Sequence, residues 1–325
     1  MSLQFADFNA DGHQDIVTAV WEGTVFLVPG SKDGFGEPEY VKDGQDELII
    51  LSRFYDIVGK EYVSTDENNP TEHLVSAMAW DWDNDGDFDL ILGAKDGQVY
   101  LRRNQGKAGS PKFETESTKL EAGGEPFSVP GGSTAPRTVD WDGDGLTDLV
   151  CGSFKGGAYW YRNVGKIGAP EFAKPVTLAK PGDAGSPETG WYVDPTDFDG
   201  DGDLDLVVGG YFTHHPESPE LTAAQAKRLA DIDAELPRLD KEWSSQFKAV
   251  RDEWPTTRIQ EDADGWRKAY TAFNQKPEIQ ESNKKRADHR KEQLELRPRS
   301  SRKSGVWLYR RQGVLTESPK PGNGG

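Results

Sequence analysis

Short apolar segments recur four times along the chain, and each begins with the aspartate that closes an acidic loop. They occupy residues 15–20, 89–94, 148–153 and 205–210 and consist mainly of Val, Ile, Leu, Ala and Gly. β-Branched and apolar runs of this length are typical of strands and too short for helices. A short apolar run before each loop, and further strand-like runs separated by glycine turns after it, predict four antiparallel strands per unit.

The units recur at intervals typical of a repeat protein. Their acidic loops begin at Asp7, Asp81, Asp140 and Asp197, which gives intervals of 74, 59 and 57 residues. Repeats of this size predict a propeller or a solenoid, and four antiparallel strands per unit form one propeller blade. The predicted fold class is therefore all-β, a β-propeller of four visible four-stranded blades.

The fourth unit is interrupted by a segment of different character. Residues 216–304 are rich in Ala, Glu, Lys, Arg and Gln, and their apolar residues recur at steps of three and four. That spacing predicts helices, with Thr222 and Gln225 as a capping box and a kink or two abutting helices at Pro237. We expect an α-helical insertion between strands 2 and 3 of blade 4, and a propeller built from residues 1–215 and 305–325.

The acidic loops share the pattern D-x-[DN]-x-D-G-x-x-D. Carboxylates and carboxamides at positions 1, 3, 5 and 9 are hard oxygen ligands, and the glycine at position 6 permits the sharp turn that brings them together. The loops lack the twelfth-position glutamate of an EF-hand and lead into strands, so they are not EF-hands. Each loop is either a calcium site or an Asx-rich turn.

The loop, the D-[IL]-[VIL] strand after it and the glycine-rich hairpin together resemble the FG-GAP/VCBS repeats of integrin α-subunit propellers and their bacterial relatives. The resemblance covers about residues 3–215 and 305–320. It implies up to four structural Ca²⁺ ions, each bound between the first two strands of a blade. Integrin-type rings have seven blades, so the sequence leaves open a four-bladed ring, a ring closed by another chain, or part of a longer protein.

The resemblance also implies the ligands of each ion, with position 7 contributing its backbone carbonyl. The implied ligands are Asp7, Asn9, Asp11, His13 and Asp15; Asp81, Asp83, Asp85, Asp87 and Asp89; Asp140, Asp142, Asp144, Leu146 and Asp148; and Asp197, Asp199, Asp201, Asp203 and Asp205. The aromatic residue at position 2 of every loop is expected to pack in the core between adjacent blades.

Charge and composition exclude several classes of partner. The 325 residues carry a formal net charge of −18, which argues against binding to nucleic acid or to an anionic membrane. The sequence contains no apolar run long enough to cross a membrane. The single cysteine, Cys151, excludes an internal disulfide. No signal peptide is visible, yet loops of this modest calcium affinity favour a secreted, periplasmic or cell-surface protein.

A second group of residues is expected on the face opposite the calcium loops, where the insertion and the longest links between blades are predicted. Aromatic rings next to arginine suit binding of a sugar or a protein. Trp191 and Tyr192 have the alternative of packing between blades. The possible ligand face consists of Arg53, Tyr55, His73, Arg137, Trp191, Tyr192, His214 and His215.

These features favour a calcium-binding extracellular propeller that binds a protein or glycan through the face bearing the insertion, as in cell adhesion or carbohydrate binding. The alternative is a polysaccharide-active enzyme of the lyase or dehydratase type, which related repeats also build; no catalytic residue or enzyme motif stands out. A third possibility is oligomerisation through the helical insertion.

Overall fold

The computed structural model describes residues 3–57, 59–65, 72–182, 185–255, 258–259 and 262–311. Residues 312–325, which the sequence assigns to the β-rich domain, lie outside the described part. The chain forms two compact units, one from Met1–Phe212 with Lys303–Gly325 and one from Thr213–Arg302. The first is built from strands and the second from helices.

The described residues of the β-rich unit form four successive larger sheets, here called repeats 1 to 4, each with one acidic loop between its first two strands, and three two-stranded hairpins. Repeat 1 is an antiparallel sheet with the order β1-β2-β3-β6, and a small hairpin, β4–β5, extends from it. Its strands are β1 (Leu3–Ala6), β2 (Asp15–Ala19), β3 (Val25–Val28), β4 (Gly30–Ser31), β5 (Gly34–Phe35) and β6 (Glu39–Tyr40).

Repeats 2 and 3 have the same four-stranded antiparallel order. A separate hairpin precedes repeat 2, and another lies between repeats 2 and 3. The first hairpin is β7 (Arg53–Asp56) and β8 (Glu61–Ser64), followed by repeat 2 with β9 (Leu74–Trp80), β10 (Asp89–Ala94), β11 (Val99–Arg102) and β12 (Thr118–Lys119). The second is β13 (Glu121–Ala122) and β14 (Glu125–Pro126), followed by repeat 3 with β15 (Ala135–Val139), β16 (Asp148–Gly152), β17 (Ala158–Tyr161) and β18 (Val176–Ala179).

Repeat 4 differs from the prediction of four strands. Its described residues form a three-stranded sheet of β19 (Thr189–Thr196), β20 (Asp205–His214) and β21 (Ser301–Tyr309). The repeated antiparallel sheets are confirmed for repeats 1 to 3, and the closed ring of a propeller stays a prediction.

The core lies between consecutive sheets. Successive residues of a strand point to opposite faces, so a strand covered on both faces is apolar throughout. In β10, Leu90 and Leu92 pack into the core shared with repeat 1, whereas Ile91 packs into the core shared with repeat 3. In β16, Cys151 faces repeat 2 and Val150 faces repeat 4. The sheets of repeats 2 and 3 are therefore packed on both faces, and Cys151 is a buried core residue.

The helical unit contains α1 (Ala223–Glu253), α2 (Ala263–Asn274) and α3 (Pro277–Leu296). The capping box of Thr222 and Gln225 is present as predicted. Helix α1 continues through Pro237 as one element, so the alternative of two abutting helices is wrong. The unit buries Ile232, Phe273 and Ile279, and ion pairs join α1 to α3.

Candidate metal centres and an aromatic surface

The four acidic loops share one backbone geometry, which is set by the aspartate at position 1. In the first loop, Asp7 accepts hydrogen bonds from the backbone N–H groups of Asp11 at 2.9 Å and Gly12 at 3.0 Å. Asp81, Asp140 and Asp197 accept the equivalent pair at 3.0 to 3.2 Å. The position-6 glycines all have φ between 86° and 94°, a conformation that favours glycine. The position-1 carboxylate thereby fixes the same turn in all four loops.

The aspartate at position 9, whose role as a ligand stays a prediction, also anchors its loop to the sheet. Asp148 is fully buried and accepts hydrogen bonds from the backbone N–H groups of Trp141 at 3.1 Å and Asn163 at 2.6 Å. It also accepts one from Nε1 of Trp160 at 2.9 Å. Burial raises the pKa of Asp148 above its ordinary value. Burial also raises the pKa of Asp89, its equivalent in repeat 2, to about 6. This carboxylate therefore holds the loop against the third strand of its own sheet.

Three loops bring carboxylate oxygens close enough for one cation to bind. In each of three groups, one oxygen per residue lies within 4.8 Å of the others. Such a set of hard oxygen donors fits Ca²⁺. The groups are Asp81, Asp83 and Asp85; Asp140, Asp142 and Asp148; and Asp197, Asp199 and Asp201.

Asp89, Asp144 and Asp205 lie outside these groups and stay predicted ligands, as do the residues of the first loop and of position 7. In the first loop the position-3 ligand is the carboxamide of Asn9, whose Oδ1 accepts the N–H of Asp11 at 3.0 Å. At position 7, the N–H groups of His13, Asp87, Leu146 and Asp203 donate to the position-5 aspartates at 2.9 to 3.1 Å. Their carbonyl oxygens stay predicted ligands. Burial, and then the charges of Asp85, Asp83 and Asp81, raise the pKa of Asp87, so a cation would relieve a real repulsion.

Sequence reasoning missed an arginine beside three of the four loops. Arg103 contacts Asp83 at 3.0 Å, and Arg310 contacts Asp199 at 3.3 Å. Arg162 pairs with both Asp142 at 2.7 Å and Asp144 at 2.9 Å. A hydrogen bond from the Leu146 backbone, together with Arg162, lowers the pKa of Asp144.

The signal for these arginines was present in the repeat alignment. Arg103 and Arg162 each lie 14 residues after the buried aspartate, and the first repeat has Pro29 at that position and Asn9 instead of the position-3 aspartate. The arginine is therefore present where the loop carries the extra negative charge and absent where it does not.

Two residues of the predicted ligand face, Arg53 and Tyr55, belong to an aromatic surface, defined here as Trp21, Arg53, Tyr55 and Tyr62. The ring centroids of Trp21 and Tyr55 are 4.7 Å apart, those of Tyr55 and Tyr62 are 5.1 Å apart, and the guanidinium of Arg53 lies 4.2 Å from the Tyr62 ring. Trp21 is 53% and Tyr62 is 49% exposed.

Buried His73 positions this surface from below. Its Nδ1 lies 3.1 Å from the carbonyl oxygen of Arg53, and its Nε2 lies 2.7 Å from that of Trp21. The imidazole thus links the β2–β3 turn to the β7–β8 hairpin. Trp21 and Tyr62 were missed by sequence reasoning because they lie 41 residues apart on two separate turns.

The other residues of the predicted ligand face have contacts elsewhere. Arg137 donates to the carbonyl oxygen of Leu3 at 3.2 Å and lies 3.7 Å from Asp194, so it joins the first strands of repeats 1, 3 and 4. Trp191 is buried and stacks with Tyr309, which is the packing alternative that its sequence position allowed. Tyr192, His214 and His215 are exposed, and Nδ1 of His215 lies 2.8 Å from the Ser300 hydroxyl.

The aromatic residues at position 2 pack as predicted in three loops and differently in the fourth. Phe8, Trp82 and Trp141 are at most 7% exposed, whereas Phe198 is 58% exposed. The expectation of a core position is therefore wrong for Phe198, because no described sheet covers it.

No helix in the described part of the chain is long and apolar enough to cross a membrane. No curated protein matches the chain. Residues 140–208, from the third acidic loop into β20, match the family model of the FG-GAP-like repeat. Repeats of this kind are typical of extracellular interaction modules, and this chain contains an FG-GAP-like repeat at residues 140–208.

Proposed function

We propose that the β-rich unit is an extracellular β-propeller module whose four acidic loops bind Ca²⁺ and whose aromatic surface binds a glycan. The observation that carries the proposal is the fourfold recurrence of one loop geometry, with the position-1 carboxylate accepting the same two backbone N–H groups each time. A turn that recurs with its carboxylates turned inward is suited to a hard cation.

The role of the cation is structural. The position-5 aspartates are exposed, most of the position-1 and position-3 residues are half-buried, and their neighbouring carboxylates repel one another, whereas the position-9 aspartate anchors the loop to the sheet. Bound Ca²⁺ supplies positive charge that offsets this repulsion, and binding to the folded state alone stabilises the fold. Loops without a twelfth-position glutamate suit an extracellular calcium concentration, with dissociation constants roughly between 10⁻⁴ and 10⁻³ M.

Packing within the β-rich unit supports the propeller. Consecutive sheets stack face to face, and their first strands, β1, β9, β15 and β19, contact one another in that order. Arg137 reaches from β15 to β1 and β19. Blades arranged around an axis bring their inner strands together in this way.

The aromatic surface supports a glycan ligand. Tilted, exposed rings of Trp21 and Tyr62 offer flat apolar faces to the C–H face of a sugar, and the neighbouring Arg53 and Tyr hydroxyls offer hydrogen bonds to its edge. The net charge of −18 disfavours polyanionic glycans, so a neutral polysaccharide fits best. The placement of this surface on the same face as the insertion stays a prediction.

The enzyme alternative receives no support from the contacts of the described residues. It requires basic and tyrosine side chains that converge on one point, yet Arg137 contacts Leu3 and Asp194, and His215 contacts Ser300. Arg53, Tyr55 and His73 of the predicted set lie together around Tyr62.

The two parts of the proposal are tested separately. Calorimetric titration of chelator-treated protein should detect Ca²⁺ binding, and Ca²⁺ should raise the melting temperature; an unchanged melting temperature would refute the metal role.

Retention on immobilised neutral polysaccharides should fall in Trp21→Ala and Tyr62→Ala but not in Phe154→Ala, an exposed aromatic outside the surface. Equal retention of all variants, or binding to proteins alone, would refute the glycan role, and shortening of the polymer would favour the enzyme.

A further inference from the structure

The same contact between aromatic rings joins repeat 1 to repeat 2 and repeat 2 to repeat 3. In both cases the position-2 aromatic of a loop packs against a phenylalanine of the next repeat. Phe8 of repeat 1 stacks on Phe113 of repeat 2, and Trp82 of repeat 2 meets Phe172 of repeat 3, both with centroids 6.1 Å apart. All four rings are at most 7% exposed. We call this pairing the inter-repeat contact.

Repeat 1 has its own copy of the receiving phenylalanine. Phe113 pairs with Asn104, and Phe172 pairs with Asn163, the two residues whose N–H groups bond to the buried aspartates. In repeat 1 the residue with that hydrogen bond is Gly30, and it pairs with Phe35.

The residue after each phenylalanine confirms the equivalence. The N–H of Gly36 donates to Pro29 at 2.8 Å, just as Glu114 donates to Arg103 and Ala173 to Arg162. Phe35 therefore occupies the receiving position of repeat 1.

Phe35 and Phe198 each occupy the position of one partner of the inter-repeat contact, and both rings are exposed. Phe35 is 55% exposed, and Phe5 at 55% and Leu3 at 52% extend the same apolar patch, with Phe5 and Phe35 rings 6.2 Å apart. On repeat 4, Phe198 is 58% exposed. Because both rings are exposed in one and the same chain, they do not satisfy each other within it.

The fourth loop also contains a buried carboxylate oxygen that lacks a hydrogen-bond partner. Seating Phe198 like its equivalents would give this oxygen the backbone N–H of Phe198 as a donor. In the first three loops the N–H of the position-2 aromatic donates to Oδ2 of the buried aspartate, at 2.9 to 3.1 Å. In the fourth, Oδ2 of Asp205 is buried without a hydrogen-bond partner, although the residue is only 2% exposed. Buried polar atoms are normally paired, so the loop has a more stable arrangement available in which Phe198 is seated like its equivalents.

We propose that the Phe198 surface of repeat 4 docks on the Phe35 surface of repeat 1 of a second copy of this chain. A second copy fits this surface because the chain already forms the same contact between its own repeats. It also exposes one partner of that contact, Phe198, on repeat 4 and the other, Phe35, on repeat 1. Such a head-to-tail contact is heterologous, so it generates a closed ring or an open array rather than a twofold dimer. The net charge of −18 opposes it, so we expect association to strengthen with Ca²⁺ and with added salt.

Sedimentation velocity of the full chain in Ca²⁺ tests the proposal. Wild-type protein should gain mass with concentration, and Phe198→Ser or Phe35→Ser should each weaken this association by about tenfold or more, as removal of a central aromatic anchor does. Phe154→Ser, an exposed aromatic in repeat 3, should leave it unchanged. Unaltered melting temperatures would exclude misfolding, because both target rings are largely exposed.

A mixture of variants gives the decisive outcome. Phe35→Ser retains the Phe198 half and Phe198→Ser retains the Phe35 half, so an equimolar mixture should form a 1:1 dimer that neither variant forms alone. A wild-type chain that stays monomeric at high concentration, variants that associate like wild type, or a mixture that stays monomeric would each overturn the proposal. These outcomes compare variants under one condition, so they test the docking separately from the proposed binding of Ca²⁺ or of a glycan.

Discussion

Oδ1 of Asp205 accepts a hydrogen bond of 2.8 Å from the backbone N–H of Arg311, a residue 106 positions further along the chain. The equivalent bonds from Asp89 to Asn104 and from Asp148 to Asn163 span 15 positions. The difference of 91 residues corresponds to the helical unit, Thr213–Arg302. The repeat has therefore accommodated an inserted domain while keeping the hydrogen bond that fixes its loop to its third strand.

The hydrogen bonds of the position-9 aspartates predict that replacing Asp148 destabilises the fold more than replacing Asp205. Asp148→Ala leaves the N–H groups of Trp141, Trp160 and Asn163 without their acceptor, so we expect a loss of about 2–4 kcal/mol in the free energy of unfolding. Asp205→Ala, which deprives only the N–H of Arg311 among the described contacts, should cost about 1–2 kcal/mol. Urea denaturation in chelator measures both, with exposed Asp33→Ala as the control. Equal costs for the two buried sites would contradict the anchor role.

The arginine beside the third loop should tune its affinity for calcium. The Arg162 guanidinium lies against Asp142 and Asp144, so its charge opposes that of a cation bound by the same carboxylates. We expect Arg162→Gln to strengthen calcium binding at this loop by roughly three- to tenfold, since one like charge is removed within a few ångströms.

Calorimetric titration of the purified variant checks this, with Arg267→Gln, an exposed ion pair of the helical unit, as the control. Weaker binding in Arg162→Gln would instead mean that the arginine holds the two carboxylates in position for the ion.

The close approach at Gly23 predicts how the aromatic surface can be disturbed without touching its rings. Gly23 has a φ of 90°, and an added Cβ would lie 2.6 Å from Cε1 of His73. Gly23→Ala should therefore displace His73, loosen Trp21 and reduce retention on the polysaccharide. Gly124→Ala also has a positive φ, of 77°, but meets no atom within 4 Å, so it carries the backbone strain without the clash. Comparable retention by the two variants would count against His73 as the support of this surface.

The helical unit should lose stability in acid. Hydrogen bonds from Lys285 and then His289 lower the pKa of Glu235 in α1 to about 2. A carboxylate whose pKa is lower in the folded state contributes stability that is present above its unfolded pKa, 4.5, and is lost as the pH falls from there towards 2.

Thermal unfolding followed by circular dichroism at 222 nm should show this loss between pH 5 and pH 2, because the helices dominate that signal. Glu235→Gln should flatten the pH dependence more than Glu242→Gln does, since Glu242 makes only a longer contact of 3.7 Å with Arg238. An identical pH profile for the two variants would refute the contribution of Glu235.

Local sequence pattern determines most of the secondary structure of this protein. The loop glycines, the strands that start at Asp15, Asp89, Asp148 and Asp205, and the capped helix beginning after Thr222 are all set by residues within a few positions of one another. Backbone preference and short-range hydrogen bonding decide such features, so the sequence predicts them directly.

Only the tertiary structure decided which side chains meet across the chain. His73 contacts the Trp21 carbonyl from 52 positions away, and Arg137 reaches Leu3 across 134. The contrast between buried Phe8 and exposed Phe198, two residues with the same place in the same motif, depends on whether another sheet packs over them. Motif spacing is encoded locally, whereas burial depends on the neighbours that folding brings together, and no pattern within one repeat specifies those.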